Sequence, residues 1–143
     1  MDDLYQEIIM DHSRNPKNFG TIDKPDSLNE AINPLCGDSI KIYLTFENNK
    51  IANIKFQSEG CAISKASASL MTELLLDKDF HTATSIINEF HKMVTENEKD
   101  DPNEEILGDT IVLSNISKYP NRIKCATMCW HAVKESLETH KNN

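Results

Sequence analysis

Residues 39–57, SIKIYLTFENNKIANIKFQ, decide the fold. Ile40, Ile42, Leu44 and Phe46 alternate with Lys41, Tyr43 and Thr45. Successive side chains on a strand point to opposite faces, so this is the pattern of a strand with one face buried. Asn48-Asn49 supplies a tight turn, and a second alternating run with Ile54 and Phe56 returns along the first. The stretch therefore reads as a β-hairpin. An earlier strand around residues 30–32 would complete a three-stranded antiparallel sheet.

Outward from the hairpin the periodicity becomes helical. Leu4, Ile8 and Ile9 share one side of a short N-terminal helix, which Asn15-Pro16 would end. Small residues followed by leucines, from about residue 64 to 77, predict a tightly packed helix. Ile86, Ile87, Phe90, Met93 and Val94 mark another. Residues 96–105, ENEKDDPNEE, are acidic and broken by Pro102, the pattern of a solvated loop. Ile123, Ala126, Trp130, Val133 and Leu137 recur at steps of three and four, giving an amphipathic helix that begins just after Pro120. The expected architecture is α+β, a small antiparallel sheet packed against several α-helices. With 143 residues and no internal repeat, one domain over residues 1–143 is expected.

Composition narrows the function. Fifteen basic against 23 acidic residues give a net charge of -8, which opposes nucleic-acid binding because that affinity comes largely from Lys and Arg. No stretch approaches the roughly 20 apolar residues of a membrane helix, and the first residues are acidic where a signal peptide is basic. A cytoplasmic protein is expected, with neither nucleic acid nor membrane as partner. In that compartment four cysteines point to metal binding or thiol chemistry rather than to disulfides.

Three segments carry the cysteines. In NPLCGDS, residues 33–39, Gly37 lets the chain bend so that Cys36 and Asp38 can reach one ion, although a turn with a packed Cys and a capping Asp fits equally. In EGCAIS, residues 59–64, Cys61 sits at a helix start, where the macrodipole favours a thiolate; a buried structural Cys is the alternative. In RIKCATMCWH, residues 122–131, Cys125 and Cys129 lie one helical turn apart. Cys129, deeper in the amphipathic helix beside Trp130, reads as a core residue. Cys36, Asp38, Cys61 and Cys125 thus make a four-donor zinc set if the three segments converge. The five histidines share no spacing and read as surface or helix-end groups.

These motifs, with LYQEIIMDHSRNPKNFG before them and the hairpin between, all in order, resemble the U-type iron-sulfur cluster assembly family, whose branches include the IscU scaffolds and the SufU sulfur-transfer proteins. The chain resembles the SufU branch more closely. It carries an added acidic segment around residues 100–108, and Lys124 stands where the scaffold branch usually has a histidine ligand. The scaffold branch's chaperone-recognition motif is replaced by Tyr119-Pro120-Asn121-Arg122-Ile123. The resemblance implies a SufE/IscU-like fold and zinc held by Cys36, Asp38, Cys61 and Cys125. It implies a sulfurtransferase whose Cys36 accepts persulfide sulfur from a SufS-like pyridoxal-phosphate cysteine desulfurase and passes it to a downstream cluster scaffold or a reductant. Arg122 would contact a partner anion or an outer carboxylate, or else be a solvated residue of the first helical turn. The alternative is a scaffold on which the same cysteines hold a [2Fe-2S] cluster.

Overall fold

A computed structural model describes residues 3–34, 37–96 and 102–141. Strands β1 (Ser27–Asn33), β2 (Asp38–Glu47) and β3 (Lys50–Glu59) form an antiparallel meander in that order. The β2–β3 turn is the expected Asn48-Asn49 pair, with φ of 54° and 61°. Two left-handed residues give a two-residue turn whose twist matches that of the strands it joins. A bulge between Thr45 and Phe46 then shifts the pairing to Phe46↔Ile51. Ile40, Ile42, Leu44, Ile51, Ile54 and Phe56 are buried in one core.

Strand β1 is longer than the expected 30–32, pairing from Ser27↔Leu44 to Asn33↔Asp38. Its outward residues Leu28 and Ile32 are exposed, while Ser27, Asn29 and Ala31 turn inward. The inward polar groups are satisfied by the last helix: Ser27 Oγ donates to Ser136 Oγ at 2.8 Å and Asn29 Nδ2 to the Ala132 carbonyl at 3.1 Å. Hydrogen bonding has replaced apolar burial here, which is why alternation does not reveal the whole strand.

The described residues also form five α-helices: α1 (Asp3–Arg14), α2 (Ala62–Leu75), α3 (Phe80–Thr95), α4 (Glu104–Leu107) and α5 (Pro120–Lys141). Helix α2 packs between α1 and α5. Ala66, Ser67, Ala68 and Ser69 are buried there, and their small size admits the neighbouring backbones. Ser67 Oγ donates to the Ala126 carbonyl at 2.6 Å and accepts from Trp130 Nε1 at 2.9 Å. Trp130 in turn stacks on Phe90 with centroids 3.9 Å apart. Helix α2 starts two residues before the expected 64 because Cys61 is its N-cap, accepting from the Ser64 N–H at 3.4 Å.

Of the two readings expected for the histidines, His12 takes the helix-end one: it lies in the last turn of α1 but is buried there, with Nδ1 2.7 Å from Ser69 Oγ. One expectation needs correction. The expected acidic loop extends only partly over 96–105. Residues 97–101 lie outside the described residues, but Asn103 caps α4, whose first residues are Glu104 and Glu105. A 3₁₀ segment, Gly108–Lys118, follows and buries Thr110, Leu113 and Ile116 at steps of three, the period of that helix.

Candidate metal centre

The sheet and two helices bring three of the four sequence-selected donors together. Asp38 is the first residue of β2 and is fully covered; Cys61 caps α2; Cys125 lies buried in the second turn of α5. One ligand atom from each lies within 4.8 Å of the others. A tetrahedral zinc with Zn–S bonds near 2.3 Å sets donor separations of about 3.8 Å, so closing on an ion asks for shifts of about 1 Å or less. Among the described residues this is the one such group of three or more His, Cys, Asp or Glu donors. Cys36, the fourth candidate, lies outside the described residues. Gly37, at φ 70°, donates its N–H to the Asn33 carbonyl at 2.9 Å.

The carboxylate is held tightly. Asp38 Oδ1 accepts the Cys61 N–H at 2.7 Å, and the Cys61 thiol donates to Oδ2 at 3.4 Å. Burial pushes the Asp38 carboxyl up, but hydrogen bonds from Cys125 and from the Cys61 N–H and thiol, with the charge of Arg122, outweigh it and leave it below its usual value. Asp38 is therefore anionic at neutral pH, the form a cation needs. Arg122 is exposed on the first turn of α5, its N–H bonded to the Tyr119 carbonyl at 2.8 Å. Only its charge bears on Asp38. Lys124, just before Cys125, is exposed.

Cys129 is kept apart from this group. It is 1 % exposed, its thiol donates to Ser67 Oγ at 3.8 Å, and burial pushes its pKa up to about 12. Two neighbours of the centre carry no signal in the sequence reading. Asn33, buried at the end of β1, reaches Cys125 Sγ with Nδ2 at 3.8 Å. Gly60 lies against Asp38. Both lie inside the quoted cysteine motifs, and that membership is the only cue that could have singled them out.

Comparison with known proteins shows the family of the chain. The chain is 41% identical over 142 residues, 96% of its length and 91% of the relative's, to the zinc-dependent sulfurtransferase SufU of Bacillus subtilis. It is 36% identical over 139 residues, 97% of its length and 86% of the relative's, to the iron-sulfur cluster assembly scaffold protein IscU of Streptococcus pyogenes. Its fold matches the crystal structure of a SUF-system protein of Fervidobacterium islandicum, assigned as a cluster assembly scaffold, with a TM-score of 0.84 and 34% identity over 92% of this chain and 94% of that one. The family model for the NifU-like N-terminal domain matches residues 4–126. With most of its length matched by that model and by full-length relatives, the chain belongs to the NifU-like N-terminal domain family, alongside the IscU and SufU proteins.

Proposed function

We propose that this protein is a zinc-dependent sulfurtransferase of iron-sulfur cluster assembly, taking persulfide sulfur from a pyridoxal-phosphate cysteine desulfurase of the SufS kind. The observation that carries the reading is the convergence of Asp38, Cys61 and Cys125 from three separate elements within 4.8 Å. Two thiols and an anionic carboxylate are donors that zinc accepts, and Cys36, two residues before Asp38, would complete four. The similarity to the Bacillus subtilis sulfurtransferase adds support. Bound zinc would keep the thiols deprotonated at neutral pH without changing oxidation state.

The residues divide the work. Asp38, Cys61 and Cys125 sit on the sheet and two packed helices and would hold the ion. Cys36, two residues before Asp38 in the sequence, is the acceptor. Its thiolate attacks the outer sulfur of the desulfurase persulfide; the donor S–S bond breaks and the desulfurase cysteine leaves as a thiolate. Cys36 is left as a persulfide, so no external oxidant or reductant is consumed. A downstream scaffold or a reductant then takes the sulfur.

The second reading, a scaffold holding a [2Fe-2S] cluster on the same cysteines, is favoured by the likeness to the Streptococcus pyogenes protein. Alanine release by a cognate desulfurase separates the two. Transfer predicts stimulated turnover by zinc-loaded, colourless protein, with added sulfur located on Cys36 by mass spectrometry. A brown protein that gives up iron and sulfide would favour the scaffold. A persulfide found on Cys61, Cys125 or Cys129 but never on Cys36 would sink the transfer mechanism.

A further inference from the structure

The residue before Cys61 is Gly60, at φ 131°, a backbone conformation that L side chains rarely adopt. It is also sterically closed. A Cβ built there would overlap Asp38 Oδ1 and stand 2.7 Å from its Cγ and 2.8 Å from its Cα. Asp38 fills the space a side chain at position 60 would need. There Oδ1 is occupied by the Cys61 N–H at 2.7 Å, while Oδ2 faces the Cys61 thiol at 3.4 Å.

Resting on the zinc reading above, we propose that Gly60 is the positioning residue of the metal centre: the missing side chain lets Asp38 dock against the Gly60–Cys61 backbone, which fixes it as a one-oxygen ligand through Oδ2. Oδ1 is committed to the Cys61 N–H, so the same peptide that delivers the Cys61 thiol also aims the carboxylate. Donor geometry is then set by backbone contact between the start of β2 and the cap of α2 rather than by side-chain freedom.

The test compares Gly60→Ala with Gly20→Ala. Gly20 has a similar φ of 144°, but its added Cβ would meet nothing nearer than Lys55 Cδ at 3.9 Å. Both variants bear the backbone strain, and only Gly60→Ala expels Asp38. Zinc affinity by chelator competition should fall at least about tenfold in Gly60→Ala and stay near wild type in Gly20→Ala. The visible spectrum of the cobalt-substituted protein should change only in Gly60→Ala. A folded Gly60→Ala protein with wild-type zinc affinity and cobalt spectrum would overturn the proposal while leaving the zinc reading intact. Wild-type protein that binds no zinc would overturn both. If Gly60→Ala does not fold, Asp38→Asn decides: with its oxygen bound to the Cys61 N–H, its amide nitrogen faces the site, and zinc affinity should fall as far as in Asp38→Ala. Near wild-type affinity in Asp38→Asn would overturn the one-oxygen assignment.

Discussion

At the scale of single residues, Cys125 and Cys129 show how far position outweighs chemical identity. They lie one turn apart on α5, yet Cys125 joins Asp38 and Cys61, while Cys129 is sealed against Ser67 with its thiol raised by burial to about 12. Cys125→Ala should therefore abolish stoichiometric zinc binding. Cys129→Ala should keep the zinc and cost about 1 kcal/mol of stability through lost packing. Metal analysis beside denaturant melts reads both, and loss of zinc in Cys129→Ala alone would reverse the assignment. The distinction is legible in sequence, because Cys129 follows the apolar stripe of α5 and Cys125 sits near its start. The roles of Gly60 and Asn33 are not legible: each depends on a neighbour distant in sequence, Asp38 for one and Cys125 for the other, and neither has periodicity or unusual chemistry to mark it.

At the scale of elements, legibility follows how much of each face is apolar. The hairpin announces itself because Ile40, Ile42 and Leu44 alternate and an Asn pair makes the turn. Half of β1 is hidden because its inward positions are Ser27 and Asn29, satisfied by α5 rather than by burial. The 3₁₀ segment is missed because its period of three matches neither template of 3.6 or 2 residues. The contact of α3 with α5 adds a testable pH dependence. His131, largely exposed, faces His91 across it at 5.1 Å between ring centroids, and its pKa is lowered from 6.5 because partial desolvation, then the charges of His91 and Lys134, disfavour its protonated form. A lowered folded pKa means the unfolded chain binds the proton more tightly. The stability this gives is full above 6.5 and is lost as pH falls through the lowered value. His131→Gln should flatten the decline in melting temperature just below neutrality. Asp38 and Asp79, whose carboxyls are also lowered, act only below their ordinary 3.8, outside that window. An unchanged slope in the variant would remove His131 as the cause.

At the scale of the whole molecule, the proposed centre ties together β2, α2 and α5, of which α2 and α5 already meet through Ser67, Ala126 and Trp130. An ion held by all three can bind only when they are assembled, because the unfolded chain scatters Asp38, Cys61 and Cys125 along the sequence. Binding free energy then becomes folding free energy. At a free zinc concentration a thousandfold above the dissociation constant the gain is about 4 kcal/mol. For a chain of this size that corresponds to a rise in melting temperature of roughly 10 °C. The helices and the sheet share one apolar core of their own side chains, so removing zinc should leave the far-ultraviolet signal nearly intact and lower the melting temperature, rather than unfold the protein outright. Asp38→Ala should reproduce much of that loss and make the melting temperature insensitive to a chelator. Calorimetry with and without chelator, on wild type and variant, checks both. A wild-type melting temperature indifferent to zinc would mean that the three elements do not share an ion, and would break the link between the assembled fold and its chemistry.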